Sequence, residues 1–341
     1  MESRVAPKVT VLMPVHNGEA YLRQAVQSIL DQTFTDFEFL ILDDGSTDGS
    51  RDIVRSFGDP RIRLEANERN LGTVHALNRG IRLARGKYIA RMDCDDVSLP
   101  ERLERQVRFM DAHPEVGVSG SGMRLIKKGR LKNTRLQPQA DPELKITLLF
   151  NTCFFHPTVI MRTAVVKKTP YPDNLVFTQD YNFWTRLATE TCFANLRETL
   201  VYFREHSAQI SSRKADMQKN NARAIRASYL HALFPETSGE DMETHHLIAE
   251  NRRGMDLGKA GAWLEHLIGL NEQRRVFPPD IFLREAARKW WHCCRKNTQY
   301  GKETLAVYRS SFLHAYFNPP TFKYLKFHVR CMTDGKRRKA D

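Results

Sequence analysis

The sequence predicts an α/β fold: a mostly parallel sheet flanked by helices, followed by a helical appendage. Three observations carry that expectation. Apolar, strand-like runs alternate with amphipathic, helix-like segments through the first hundred residues. Each of those runs ends in a loop rich in Asp, Asn and Gly. After about residue 212 the strand-like runs stop and only helical periodicity continues. Strands and helices alternating at this pace imply parallel strands joined by right-handed crossovers, a nucleotide-binding type of sheet.

Taken in order, Lys8 to Pro14 is an apolar strand, closed by the turn-forming pair Asn17-Gly18. Glu19 to Asp31 has Leu22, Ala25, Val26, Ile29 and Leu30 at helical spacing. Phe37 to Leu42 is a second buried strand, closed by Asp43-Asp44-Gly45-Ser46-Thr47-Asp48-Gly49. A helix begins at Thr47 or Asp48, either of which can cap it, and runs to Phe57. Arg61 to Leu64 is a third strand, Leu71 to Ala84 a helix and Lys87 to Met92 a fourth strand. Pro100 and Glu101 suit a helix start and open one over 101–113. Val116–Gly120 and Met123–Ile126 read as two short strands, followed by a polar turn at Lys127-Lys128-Gly129-Arg130. A helix over Pro142–Phe150 and a strand over Phe154–Met161 follow, the strand bent or at an edge at Pro157. Asp180 opens a helix over Tyr181–Ala188, and Thr199–Phe203 is a last strand.

At 341 residues the chain suffices for one large domain or two unequal ones. Its 41% hydrophobic and 27% charged residues are ordinary for a globular protein. No run of 18 apolar residues exists, and the N-terminus lacks the pattern of a signal peptide. The six cysteines form no C-x-x-C pair, so neither a zinc site nor a disulfide framework is indicated, and a reducing cytoplasm is the expected setting. The first strand is not followed by G-x-G-x-x-G, which argues against a nicotinamide oxidoreductase.

Ligands of parallel sheets sit at the carboxyl ends of the strands. Pro14-Val15-His16-Asn17, Asp43-Asp44-Gly45 and Asp93-Cys94-Asp95-Asp96 all fall there, so three polar loops converge on one rim. Carboxylates as crowded as Asp93, Asp95 and Asp96 resist ionising unless a cation sits among them. The residues alone admit two readings, a site for a hard divalent cation or a solvated acidic turn. Asp180 likewise reads as a helix cap or as a functional carboxylate.

The chain resembles the inverting glycosyltransferases of family 2, of the bacterial polysaccharide- and lipopolysaccharide-building type, which have the GT-A fold. Seven segments carry the resemblance, in the family's order and over residues 7–212. They are Val11–Gly18, Ser28–Phe34, Leu42–Asp48, Asn70-Leu71-Gly72, Asp93–Asp96, Gln179-Asp180 and Tyr202–His206. The resemblance implies a Rossmann-like GT-A catalytic domain over 1–212; beyond it the family pattern fades, and residues 213–341 read as a basic, helical region. It implies transfer of a sugar from a nucleoside-diphosphate sugar, such as a UDP-sugar, to a hydroxyl of a saccharide or lipid-linked saccharide. Donor binding is carried over to Pro14, His16, Glu19, Asp43, Asp44, Asn70, Asp93 and Arg204. Metal binding, of Mg²⁺ or Mn²⁺, is carried over to Asp95, Asp93 and His206, and the catalytic base to Asp180. His156 matches a family position near the acceptor, or is a hydrogen-bonded core histidine. The family has Glu-Asp where this chain has Gln179-Asp180, which leaves open an inactive nucleotide-sugar-binding or scaffold protein.

Residues 251–341 carry 19 Lys and Arg against 8 Asp and Glu, whereas residues 1–250 carry 34 against 32. The positive charge is thus concentrated in the last quarter, which is a statement about partners. There, Trp290-Trp291, Tyr316-Phe317 and Phe322–Phe327 lie among cations, as does the tail Lys336–Lys339. Such a mixture fits a peripheral contact with an anionic membrane at the inner face of the cytoplasmic membrane, or a helical core with solvated charges. Nucleic acid is disfavoured, because no recognition motif accompanies the charge. His245-His246 and His75 read as ordinary surface or core residues.

Overall fold

The computed structural model describes residues 6–173, 177–206 and 215–337, with side chains from 216 to 333 in the last stretch. These residues form two compact units. The first comprises residues up to 145 together with 152–222, the second residues 146–151 together with those from 223 on.

The first unit is built on one sheet. Strands β1 (Val9–Val15), β2 (Phe37–Asp43), β3 (Ile62–Ala66) and β4 (Tyr88–Arg91) are mutually parallel in the order β3-β2-β1-β4. Helices α1 (Glu19–Leu30), α2 (Ser50–Arg55) and α3 (Thr73–Leu83) make the crossovers. Val9, Val11 and Met13 of β1 are fully buried in one cluster with Leu22, Ala25, Val26 and Ile29 of α1. Leu103, Val107 and Met110 of α4 (Arg102–Ala112) join that cluster. On the sheet's other face, Gly80 of α3 leaves room for Leu12, whose Cδ1 lies 2.2 Å from where a Cβ would be. A sheet covered on both faces requires near-continuous apolar strands, which is why these strands were readable in the sequence.

Beyond β4 the sheet is mixed. It continues through β8 (Ile160–Arg162), β6 (Val116–Lys127) and β9 (Cys192–Glu205) to β5 (Val97–Ser98), with β7 (Arg130–Arg135) hairpinned onto β6. Three expectations are corrected here. The two short strands expected at 116–126 are one continuous strand, because glycines 120 and 122 admit close neighbours; a Cβ on Gly120 would lie 2.2 Å from Asn195 Oδ1. The strand expected from Phe154 begins only at Ile160, since Pro157 lies in a 3₁₀ turn over His156–Thr158. The strand expected at Thr199–Phe203 runs the full length of β9. Two further helices, α5 (Asp141–Leu148) and α6 (Thr163–Val166), precede α7 (Gln179–Leu187).

The second unit is helical: α8 (Ala215–Leu233), which begins in the first unit, α9 (Gly239–Ala249), α10 (Leu257–Arg274), α11 (Pro279–Lys296), α12 (Lys302–Ser310) and α13 (Thr321–Arg337). Helix α9 was not expected, although Ser238 and Asp241 form a reciprocal capping box at its start. Trp290 and Trp291 are core residues, 1% exposed, and so are not part of any surface aromatic face. Trp291 packs edge-on against Tyr308 and Phe327. Tyr316, Phe322, Leu325 and Val329 are exposed. His245 and His246 are buried; His245 bonds the Leu149 carbonyl and accepts from the Trp263 indole. The tail Lys336–Lys339 lies outside the residues whose side chains are described.

Gly86 tests the packing of the parallel strands. A Cβ there would lie 2.4 Å from Thr10 N and 2.6 Å from Val9 C, backbone atoms that cannot rotate away. Gly86→Ala should cost about 1–3 kcal/mol or more in chemical denaturation, as a shift of midpoint at unchanged slope.

Candidate functional site

The acidic loop begins where β4 ends. Arg91, the last residue of that strand and 4% exposed, pairs with Asp93 through two contacts of 2.5 Å. Asp93, Asp95 and Asp96 each offer a carboxylate oxygen within 4.8 Å of the others. Burial raises the pKa of Asp93; Arg91 opposes this, and Asp95 and Asp180 add to it. Asp96 is fully buried and raised further, by burial first and then by Asp93 and Asp95. One Asp96 oxygen accepts from the Arg204 backbone N–H at 2.8 Å, while the other is buried with no partner. Three crowded oxygen donors, one of them unsatisfied, fit a hard divalent cation better than a solvated turn.

Strand β9 brings the second part. Val97 of β5 pairs with Tyr202, which sets the residues that follow beside the acidic loop. Arg204 donates through Nε to the Asp95 carbonyl at 2.8 Å and through Nη2 to Gln24 Oε1 at 2.6 Å, and stacks over Tyr21. Among the described residues its guanidinium thus bonds a backbone and an amide oxygen. His206 Nε2 lies 2.9 Å from Asp95 Oδ2, its ring against Tyr21.

Asp180 sits in the first turn of α7, whose N-cap position is held by Thr178. Partly buried, its carboxyl is raised by burial, against the pull of first-turn N–H groups and of Arg91. His156, the 3₁₀ residue before Pro157, lies 2.7 Å from the Tyr171 hydroxyl and is held well below its ordinary pKa by burial and then by Arg91. It is half-buried and hydrogen-bonded to Tyr171.

The remaining predicted residues gather at the ends of β1 and β2. The half-buried Pro14 ends the buried run of β1, and the exposed His16 donates from Nδ1 to the Asp44 carbonyl at 2.9 Å. The Asp44 carboxylate is buried and accepts from Asn67 Nδ2 at 2.7 Å, Leu71 N at 3.0 Å and Gly72 N at 2.7 Å. Asp43 is buried against Arg51 and the Ser46 N–H. Glu19 accepts from Gly49 N at 3.1 Å, and Asn70 from Gly72 N at 2.9 Å. This group meets the acidic loop at Gly18, where an added Cβ would lie 3.2 Å from Cys94 Sγ.

The structure thus brings Asp93, Asp95, Asp96, Asp180, Arg204 and His206 into one electrostatic neighbourhood. Its hub, Arg91, was not anticipated from the sequence. A cation at the end of a buried strand, two residues before an acidic cluster, was the available signal. Tyr21 and Gln24, on the outward side of α1, gave none.

Comparison with known proteins agrees with this geometry. The family model "Glycosyl transferase family 2" matches residues 10–169. An uncharacterized glycosyltransferase of Methanocaldococcus jannaschii is 34% identical over 205 residues, 58% of this chain and 71% of that protein. The O-antigen biosynthesis glycosyltransferase WbnJ of Escherichia coli is 31% identical over 216 residues, 61% of this chain and 83% of WbnJ. The crystal structure of S. aureus TarS 1–349 in complex with UDP-GlcNAc superposes with a TM-score of 0.58 at 19% identity, over 89% of each chain. Fold and site together define a glycosyltransferase with a GT-A-like fold. The chain belongs to glycosyl transferase family 2.

Arg91→Met removes the guanidinium held against Asp93. At neutral pH it should destabilise the protein by about 3 kcal/mol, less to the extent that Asp93 is solvated. The raised carboxyls take up protons as pH falls, so the deficit against wild type should be largest above their folded pKa values and shrink below them. Urea titrations of both proteins at several pH values measure this.

Proposed function

We propose that this chain transfers a sugar, with inversion, from a nucleoside-diphosphate sugar to a hydroxyl of a saccharide or lipid-linked saccharide in cell-surface glycan synthesis. A UDP-sugar is the donor we favour. The observation that carries this reading is the grouping of Asp93, Asp95 and Asp96 with Asp180 around the buried Arg91. The involvement of WbnJ in O-antigen biosynthesis and of TarS with UDP-GlcNAc points the same way.

Asp93, Asp95 and Asp96 would hold Mg²⁺ or Mn²⁺, with His206 at Asp95. Bound there, the ion would neutralise charge on a leaving diphosphate. Arg204, already fixed by Gln24 and the Asp95 carbonyl, presents a guanidinium suited to phosphate oxygens. Pro14, His16, Glu19 and Asn70 line the base and ribose end, and Asp43 and Asp44 brace it. Asp44 keeps at most one of about four carboxylate acceptor positions for a base N–H, since three are taken.

Asp180 accepts the proton of the acceptor hydroxyl as its oxygen attacks the anomeric carbon. A carboxylate of ordinary pKa is a poor base at neutral pH, and the burial that raises Asp180 makes it a better one. The basic second unit we assign to an anionic membrane surface on the cytoplasmic side. No described helix is long and apolar enough to cross a membrane.

Asp180→Asn should lower kcat/KM by about 10²–10⁴-fold while leaving donor binding intact. In the wild type, kcat/KM should rise with pH through a pKa above the usual aspartate range; an acid limb at an ordinary aspartate pKa would remove Asp180 from the role. Product formation itself rules out the binding-protein alternative that Gln179 raises.

Mn²⁺ at a hundredfold excess over its dissociation constant should stabilise the wild type by about 2.7 kcal/mol, read as a rise in Tm. Asp95→Asn should lose most of that rise. EDTA should abolish turnover in the wild type.

A further inference from the structure

Some cations of the second unit are paired with acids. Arg223 meets Glu243 and Glu250, Lys259 meets Glu240, Arg274 meets Glu236 and Arg288 meets Glu285. Elsewhere in the unit, several cations converge on one cleft. The cleft, of about 350 Å³, is lined by Arg253, Arg295, Lys296, Thr298 and Arg330. Its four cations come from three separate parts of the unit. Arg253 lies in the loop before α10, Arg295 and Lys296 in the last turn of α11, and Arg330 on α13. All four are exposed, and among the described residues no carboxylate pairs with any of them. Thr298, which follows α11, is buried at the cleft wall.

Basic residues in the last turn of a helix are expected on electrostatic grounds, and Arg295 and Lys296 alone would need no other explanation. Arg253 and Arg330 are brought to them from elsewhere, against mutual repulsion, and no described side chain supplies a counter-charge. A concave site offering forked guanidinium donors and an ammonium has the chemistry that recognises a tetrahedral oxyanion.

We propose that this cleft is a phosphate-binding site, separate from the acidic site of the first unit. The group it takes is a phosphate monoester or diester, carried on a lipid headgroup or free. Helix α13 favours the lipid source. Phe322, Leu325, Val329 and Met332 recur at helical spacing on it and are 67%, 58%, 58% and 40% exposed. Lys323, Lys326 and Arg330 lie on a flank roughly 110° away, at 100° per residue, while Phe327 and Cys331 turn inward and are buried. Apolar residues beside a cationic flank suit a helix lying in the headgroup zone, where Arg330 would meet a headgroup phosphate. That lipid source rests on the membrane reading above; phosphate binding by the cleft does not.

The test uses the full chain and two variants of equal charge change, Arg253→Gln with Arg330→Gln in the cleft and Lys323→Gln with Lys326→Gln outside it. One arm measures flotation with vesicles of phosphatidylcholine containing 30% phosphatidylglycerol, against phosphatidylcholine alone, at rising salt. The other titrates inorganic phosphate calorimetrically without metal. The wild type is expected to float only with the anionic vesicles and less as salt rises. The cleft variant should lose at least tenfold more partitioning than the outside variant, and should lose the phosphate heat that the outside variant keeps. Equal losses in the two variants in both arms would overturn the cleft and leave the membrane reading standing. Saturable phosphate binding lost only in the cleft variant, with no wild-type flotation, would support the cleft with a free-phosphate source and overturn the membrane reading. Neither flotation nor phosphate binding by the wild type would overturn both. Unchanged circular dichroism and thermal midpoint in the variants, all altered at exposed side chains, show that folding is intact.

Discussion

Asp93, Asp95 and Asp96 offer oxygens within 4.8 Å of one another, and at an effective dielectric of about 20 each ionised pair would cost roughly 3.5 kcal/mol. Three such pairs approach the whole stability of a domain. The surrounding structure can be understood as what makes this crowding tolerable. Arg91 is held at the end of a central strand against Asp93, and the Arg204 N–H and Arg204 Nε reach the loop from β9. Asp96 is held toward its neutral form. A fold that only needed to cap a helix would have no reason to gather these charges and then build a buried arginine beneath them.

The carboxylates of the rim divide by whether the protein satisfies them. Asp43, Asp44, Asp48 and Glu19 accept hydrogen bonds, several of them from neighbouring loops, and so tie the ends of β1 and β2 together. Asp93, Asp96 and Asp180 are the ones whose charged forms burial disfavours. Loop-bracing acids stand beside acids held away from their ordinary ionisation, and such perturbed groups gather where chemistry is done. Sequence motifs cannot make this division, because Asp-Asp-Gly and Asp-x-Asp-Asp look alike on paper. Only the donors, contributed from positions 23 to 28 residues away in the case of Asp44, tell them apart.

The parallel half of the sheet was legible because burial on both faces writes itself as continuous apolar runs. Strands β1 to β4 agree with expectation to within a residue or two at either end. What was lost depended on partners distant in the chain. Strand β6 looked broken because its glycines signal turns locally, yet they serve contacts with Asn195 and Leu136. The sequence left Trp290 and Trp291 open between a surface face and a helical core, since Lys289 and His292 flank them, and it is distant packing that decides: Trp291 against Tyr308 and Phe327, Trp290 against Gly261. The site residues at strand ends were found for a general reason, the geometry of parallel sheets. Arg91 was missed because it is read as the end of a strand before it is read as a charge.

Strand β9 shows how register becomes electrostatics. It pairs with β6 along most of its length and with β5 at its far end, and its register against β6 shifts near Val116, Ser121 and Gly122. Such irregularities bend a strand and increase its twist, which suits one that must serve two partners. The outcome is one alignment, Val97 opposite Tyr202, that delivers the Arg204 N–H to Asp96 and His206 to Asp95. A slip of one residue would bring either an apolar Phe203 or an acidic Glu205 to the place of Arg204 and turn every side chain to the opposite face. The first leaves the acids uncompensated and the second adds to them. The pairing is therefore held from both sides: the apolar face of β9 fixes it from the core, and the charge of the acidic loop fixes it from the rim.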